Sequence, residues 1–307
     1  MTSLTAWATS VCRVLALCLL AALPARAQAP AANQAAIEAE ITAAYKASLE
    51  AGTRGPAKVT LIDQATLSIP ADHLFVPKAE AARLLRALGN TVTGDSLQGL
   101  VAGMKQEDEW MVVVRYIKEG YIKDDEAKDW NADDLLANLK EGTAEANKDR
   151  AARGFPELEI LGWIEKPTYD ATTHRLVWSL LNKSKGEPDS AVKGINYNTY
   201  ALGRDGYFSL NLLSDSNKIA SDKAVARTLL GALAYNDGKR YQDFNASTDH
   251  IAAYGIAALI GGVAAKKLGL LALIGAFAIK FAKLIAIGVA ALLAGVWKLF
   301  GRKRADV

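Results

Sequence analysis

The stretch INYNTYALGRDGYFSLNLLS (195–214) decides the fold. Two runs that alternate at period two flank a short Arg-Asp-Gly segment, the signature of a β-hairpin. With Asp205-Gly206 as a two-residue turn, Leu202 faces Ser209 and Tyr200 faces Asn211. Thr199, Ala201, Phe208, Leu210 and Leu212 then share the core face. Asn196, Asn198, Tyr200, Arg204, Tyr207, Ser209 and Asn211 share the other. That polar face reads either as the open side of a half-buried sheet or as a surface for a polar ligand or peptide.

Working outward, strands come mostly in adjacent pairs. AKVTLIDQATLSIP (57–70) alternates on both sides of Asp63-Gln64 and predicts a second hairpin. LEILGWIEKPTYDATTHRLVWSLLNK (158–183) predicts two strands joined near Asp170. WMVVVRYI (110–117) is apolar on both faces, as a central strand must be. Helices fall between these groups. PKAEAARLLRALGN (77–90) places Ala81, Leu84, Leu85 and Leu88 on one side, and SDKAVARTLLGALAYN (221–236) starts at Ser221 or Asp222. The order favours an α+β domain on an antiparallel sheet over a parallel nucleotide-binding sheet.

DWNADDLLANLKE (129–141) alternates Asp129, Asn131 and Asp133 like the start of a calcium loop. Such a loop needs glycine at its sixth position and glutamate at its twelfth, and here stand Asp134 and Lys140. Asn131 is instead a good N-cap, with Asp133 and Asp134 placed to meet the helix dipole. The segment therefore predicts the start of a helix of about twenty residues that ends near Gly154.

The termini frame this domain. VLALCLLAAL (14–23) has the length of an export-signal core, and small residues around Arg26 set cleavage after Ala27. Both cysteines, Cys12 and Cys18, precede that cleavage site, so the mature chain holds no disulfide and no thiolate chemistry. Residues 28–55 read as a linker and an Ala-rich helix, ended by Gly52, Gly55 and Pro56, and 56–249 as the exported domain. From Ile251 the sequence turns apolar with only lysines as charge. Residues 281–300 are long enough to span a bilayer, with Lys283 and Lys298 able to snorkel, and 302–307 form a basic tail. Residues 251–279 are long enough too, but Lys266 and Lys267 fall mid-segment, so this part lies in the interface, re-enters or faces a partner helix. One span with the tail on the cytoplasmic side satisfies the positive-inside bias. Gly288 and Gly295, like Gly255, Gly262 and Gly269, recur every seven residues and offer a face for helix packing and homo-oligomers.

A net charge of +3, concentrated near the C-terminus, excludes nucleic acid as the expected partner and leaves the lipid bilayer. His73, His174 and His250 show no metal-ligand spacing, and there is no P-loop, nucleophile elbow or dinucleotide fingerprint, so no metal or cofactor is expected. An envelope hydrolase would need a cleft that joins His174 to a carboxylate and a serine or threonine from elsewhere in the chain. The blocks GPAKVTLIDQATLSIP, NADDLLANLKEGTAEANKDRAARGFP, GWIEKPTYDATTHRLVWSL, NYNTYALGRDGYFSLNL and AYGIAALIGGVAAKKLGL resemble a bacterial family of predicted membrane-anchored proteins defined by a domain of unknown function. The resemblance runs from about Gly55 into the apolar tail. It implies a bacterial envelope protein with an exported domain and supplies no catalytic residues; the apolar tail and its basic flank place the anchor in the inner membrane. The expectation is a periplasmic binding or interaction module, with a hydrolase or a membrane assembly component as alternatives.

Overall fold

The computed structural model describes residues 31–261, apart from 89, 91, 93, 106, 107 and 153–156. The signal segment, the 281–300 span and the basic tail therefore lie outside the described residues. In chain order the elements are α1 (Ala31–Ala51), β1 (Thr53–Arg54), β2 (Ala57–Leu61), β3 (Ala65–Ile69), β4 (His73–Pro77), α2 (Lys78–Ala87), β5 (Leu97–Gly103) and β6 (Met111–Ile117). There follow α3 (Ala132–Ala152), β7 (Leu158–Asp170), β8 (Arg175–Ser184), β9 (Gly194–Gly203), β10 (Gly206–Asp215), α4 (Ile219–Ala232), β11 (Leu233–Tyr235) and the short α5 (Ala258–Gly261).

Eight strands form one sheet in the order β1-β4-β5-β6-β10-β9-β8-β7, and every neighbouring pair is antiparallel. The fold is α+β with a large antiparallel sheet. β6 sits between β5 and β10, which is why its side chains are apolar in both directions. Val112, Val114 and Tyr116 enter one core, and Met111 and Val113 another. The first hairpin leaves the large sheet. β2 and β3 join β11 in a three-stranded sheet that, with Ala226, Leu229 and Leu230 of α4, packs against Phe208, Leu210 and Leu212.

The opposite face is covered at its two ends by different elements. α1 and α2 bring Ile41, Ala44, Leu84 and Leu85 onto β4, β5 and β6. α3 brings Leu135 and Leu139 onto Trp178, Tyr200 and Tyr207, together with Ala252, Ile256, Leu259 and Ile260. Ala252, Ile256, Leu259 and Ile260 at the start of the apolar tail are thus core of this domain while Ile251 stays exposed, and the composition change at Ile251 does not mark its edge. Ile251 forms a bridge with Tyr121, and the Ile256 amide donates to the Lys123 carbonyl. No helix among the described residues is long and apolar enough to cross a membrane.

Local chemistry explains several boundaries. Asn131 caps α3, its Oδ1 accepting from the Asp133 amide at 2.8 Å. Asp170 closes the β7–β8 turn by accepting from the Thr172 amide and the Thr173 hydroxyl. α4 starts at Ile219, earlier than Ser221 or Asp222. Asp215 holds the preceding turn through the amides of Asn217 and Lys218, and Asp222, buried in the first turn, accepts from Ser214.

The β9–β10 hairpin departs from expectation in register. Its loop is Arg204-Asp205, Gly206 pairs with Gly203, and Tyr200 faces Ser209 instead of Asn211. The shift is two residues, so each side chain keeps its face. Gly206 has a positive φ of 149° at the start of β10 alongside β6, where an added Cβ would lie 2.1 Å from the Ile117 carbonyl oxygen. That close approach places the glycine in the strand instead of the turn.

Candidate functional site

The polar face of the hairpin is not open to solvent. Asn196, Asn198, Tyr200, Tyr207 and Ser209 are all buried, and Asn211 is partly so. Alternation of polar and apolar residues predicts a wet face, but α3 and residues 252–260 lie over it. What results is a polar strip across the middle of the sheet, between the two apolar clusters on that face.

Register places the strip's members. One row runs Arg115 (β6), Ser209 (β10), Tyr200 (β9) and Leu176 (β8), and the next runs Val113, Asn211, Asn198 and Trp178. Asn211 donates through Nδ2 to Asn198 Oδ1 at 3.1 Å, and Asn198 donates to the Asn196 carbonyl. Two atoms of the strip are buried without a hydrogen-bond partner among the described residues, Asn211 Oδ1 and Trp178 Nε1. The Trp178 N–H faces the Tyr200 hydroxyl but makes no hydrogen bond of ordinary geometry with it. Burial pushes Tyr200 above the usual phenol range, and the Trp178 N–H and the Arg115 charge offset this only in part. A carbonyl oxygen and an indole N–H left this way cost about 1–3 kcal/mol each unless something fills them.

Arg115 is the member that hairpin reasoning missed. A β-bulge adjoins it. Leu97 faces Arg115 and Gly99 faces Val114, so Gln98 is an extra residue on β5. Burial pulls its guanidinium below the usual arginine range, and no carboxylate among the described residues offsets this. The signal was present in the sequence, as the one charge in a strand that is otherwise apolar on both faces.

Two other arginines are matched. Arg204, expected in the same site, lies at the hairpin turn and donates from Nε and Nη2 to both oxygens of Asp249 at 2.6 and 2.8 Å. It clamps the turn to the C-terminal segment and does not reach the strip. On the other face, Glu165 accepts from the Tyr197 hydroxyl and pairs with Arg227.

His174 adopts a left-handed backbone at φ 52° and stacks on Tyr241 with ring centroids 4.0 Å apart. The Tyr169 hydroxyl donates to Asp124 Oδ2 at 2.6 Å and lies 3.0 Å from His174 Nδ1. A carboxylate does stand near His174, but the hydroxyl between them is a phenol. Burial and then Asp124 push it well above the usual range, so it stays protonated at neutral pH. The neighbouring Thr172 and Thr173 turn to Asp170.

The architecture defines an α+β domain built on one large antiparallel sheet with a buried polar strip on one face. The chain belongs to the family described as Protein of unknown function (DUF2167), whose model matches residues 53–295, from β1 into the apolar tail. No curated protein matches it in sequence. It is similar to the solution structure of cyanobacterial PsbP (CyanoP) from Synechocystis sp. PCC 6803 at a TM-score of 0.36 and 9% identity, over 59% of this chain and 92% of that one. It is also similar to the Ran-binding protein Mog1p of Saccharomyces cerevisiae at a TM-score of 0.31 and 13% identity, over 62% of this chain and 98% of that one. At these scores neither likeness bears on function.

Proposed function

We propose that this protein is a binding module of the bacterial envelope. Its sheet domain is exported and tethered to the inner membrane through residues 281–300, with the basic tail in the cytoplasm. The export-like N-terminus, the apolar tail and the terminal lysines and arginines support the location. Gly288 and Gly295 offer the anchor a face for a second copy. The observation that carries the binding role is the polar strip. Buried hydrogen-bonding groups without partners at the centre of a sheet are costly for folding alone, and a ligand that completes them relieves the cost.

Two arms test the reading. Protease added to spheroplasts digests the domain if it is exported, whereas digestion only after lysis overturns the location. Native mass spectrometry of the full chain from membranes is then compared with Asn198→Ala/Asn211→Ala. A bound species present on the natural chain and lost from the folded variant supports the module. Equal retention, or no species on either, refutes the strip as its site.

A further inference from the structure

The geometry points to a carboxylate-binding subsite in the strip, in which Arg115 anchors the ligand's carboxylate and Asn211 accepts from an N–H beside it. The inference rests on the binding-module reading and names its ligand class, an N-acylated amino acid or the free C-terminus of a peptide.

Three observations lead there. The first is charge. Arg204 has Asp249, and Arg227 has Glu165, but Arg115 has no acidic partner among the described residues. A partly buried guanidinium without a carboxylate calls for an anion, and its planar fork matches a two-oxygen acceptor. With one cation and otherwise neutral groups in the strip, a single negative charge is balanced and a phosphate dianion is not.

The second observation is the donor and acceptor pattern. The hydroxyls of Ser209 and Tyr200 follow Arg115 in the same row, on the adjacent strand and the next, and both can donate to the carboxylate. Asn211 Oδ1 lies in the next row, buried and unpartnered, and its only use is to accept. A group with an N–H close to its carboxylate meets both rows. An acyl amino acid has that arrangement.

The third is access. Arg115 and Asn211 keep partial exposure, while Asn198, Ser209, Tyr200 and Trp178 beside them are buried. Asn211 Oδ1 itself is buried, so the partly exposed Arg115 marks the strip's mouth. The bulge at Gln98 interrupts the β5–β6 ladder next to Arg115.

The test uses the full chain in detergent micelles, with thermal unfolding followed by tryptophan fluorescence. The probes are N-acetylglycine, triglycine, their amidated forms, and inorganic phosphate at matched ionic strength. N-Acetylglycine at ten times its Kd is expected to raise the midpoint by roughly 3–6 °C. Its amide is expected to have no effect, and phosphate much less. Triglycine separates the sources: a shift as large as that of N-acetylglycine indicates a peptide C-terminus, and a smaller one a free acyl amino acid. Arg115→Met removes the charge with little change of volume, folds without the buried cation and loses the response. Arg115→Lys keeps the charge without the fork and binds about ten-fold more weakly. The proposal is overturned if the natural chain gives no shift with either acid, if acid and amide act alike, or if Arg115→Met responds equally. Should Arg115→Met not fold, the acid-against-amide comparison on the natural chain decides by itself. A co-purifying ligand that depends on Asn198 and Asn211, combined with no response to carboxylates, would reject the ligand class and leave the binding module standing.

Discussion

Ile256 tests whether the start of the apolar tail belongs to the domain or to the membrane. Its side chain is 0% exposed and packs in the cluster that holds Trp178, Tyr207 and Leu135. Ile256→Ala removes three methylene-sized groups, and at about 0.8 kcal/mol each their burial is worth about 2.4 kcal/mol. The residual cavity adds to this, which places the total in the range of roughly 2–5 kcal/mol. For a domain of this size, about 3 kcal/mol lowers the midpoint by roughly 6–12 °C. The assay is thermal unfolding of the full chain in micelles, read by tryptophan fluorescence, because Trp163 and Trp178 lie in or against the same cluster. Ile62, 46% exposed in the β2–β3 loop, is the control, and Ile62→Ala is expected to change stability by less than about 0.5 kcal/mol. If Ile256→Ala matches Ile62→Ala, residues 251–260 are not part of the cooperative core, and the boundary near Ile251 suggested by composition is restored.

Loss of the α3 cap in Asn131→Ala is expected to cost about 1 kcal/mol, measured by the same unfolding curves, whereas Asn131→Asp stays within a few tenths. Gly206→Ala forces a Cβ against the Ile117 carbonyl and should destabilise by more than about 1 kcal/mol; a neutral result would refute the close approach of β10 to β6. Arg204, followed by the Asn245 amide, holds the Asp249 carboxyl well below the usual carboxylate range. A depressed folded pKa contributes stability that is present above the unfolded value, about 3.9, and is lost as pH falls below it. Asp249→Asn should therefore flatten the acid limb of stability below about pH 4, and an unchanged limb would remove the Arg204 pair as its cause.

Much of the fold was legible because it rests on short-range rules. The doubly apolar WMVVVRYI could only be central, and β6 lies between two partners. Asn131 followed by two aspartates could cap a helix and could not close a calcium loop, and the cap bond is there. The faces of the β9–β10 hairpin followed from parity, which survives a shift of two residues. β5 was harder, since LQGLVAG has little alternation and its two glycines weaken any strand signal.

The candidate site divides along the same line. That Asn196, Asn198, Tyr200, Tyr207 and Asn211 share one face was set by the sequence alone, since side chains alternate along a strand whatever surrounds it. Whether that face meets water was decided by α3 and residues 252–260, which come from opposite sides of the hairpin in the chain. Arg115 joined the strip because β6, some ninety residues before β10, pairs with it at Ser209. Arg204 stands apart because it lies at the turn and pairs with Asp249. Periodicity is a property of neighbours along the chain, while burial and charge pairing belong to neighbours in space, and only the folded sheet brings those together.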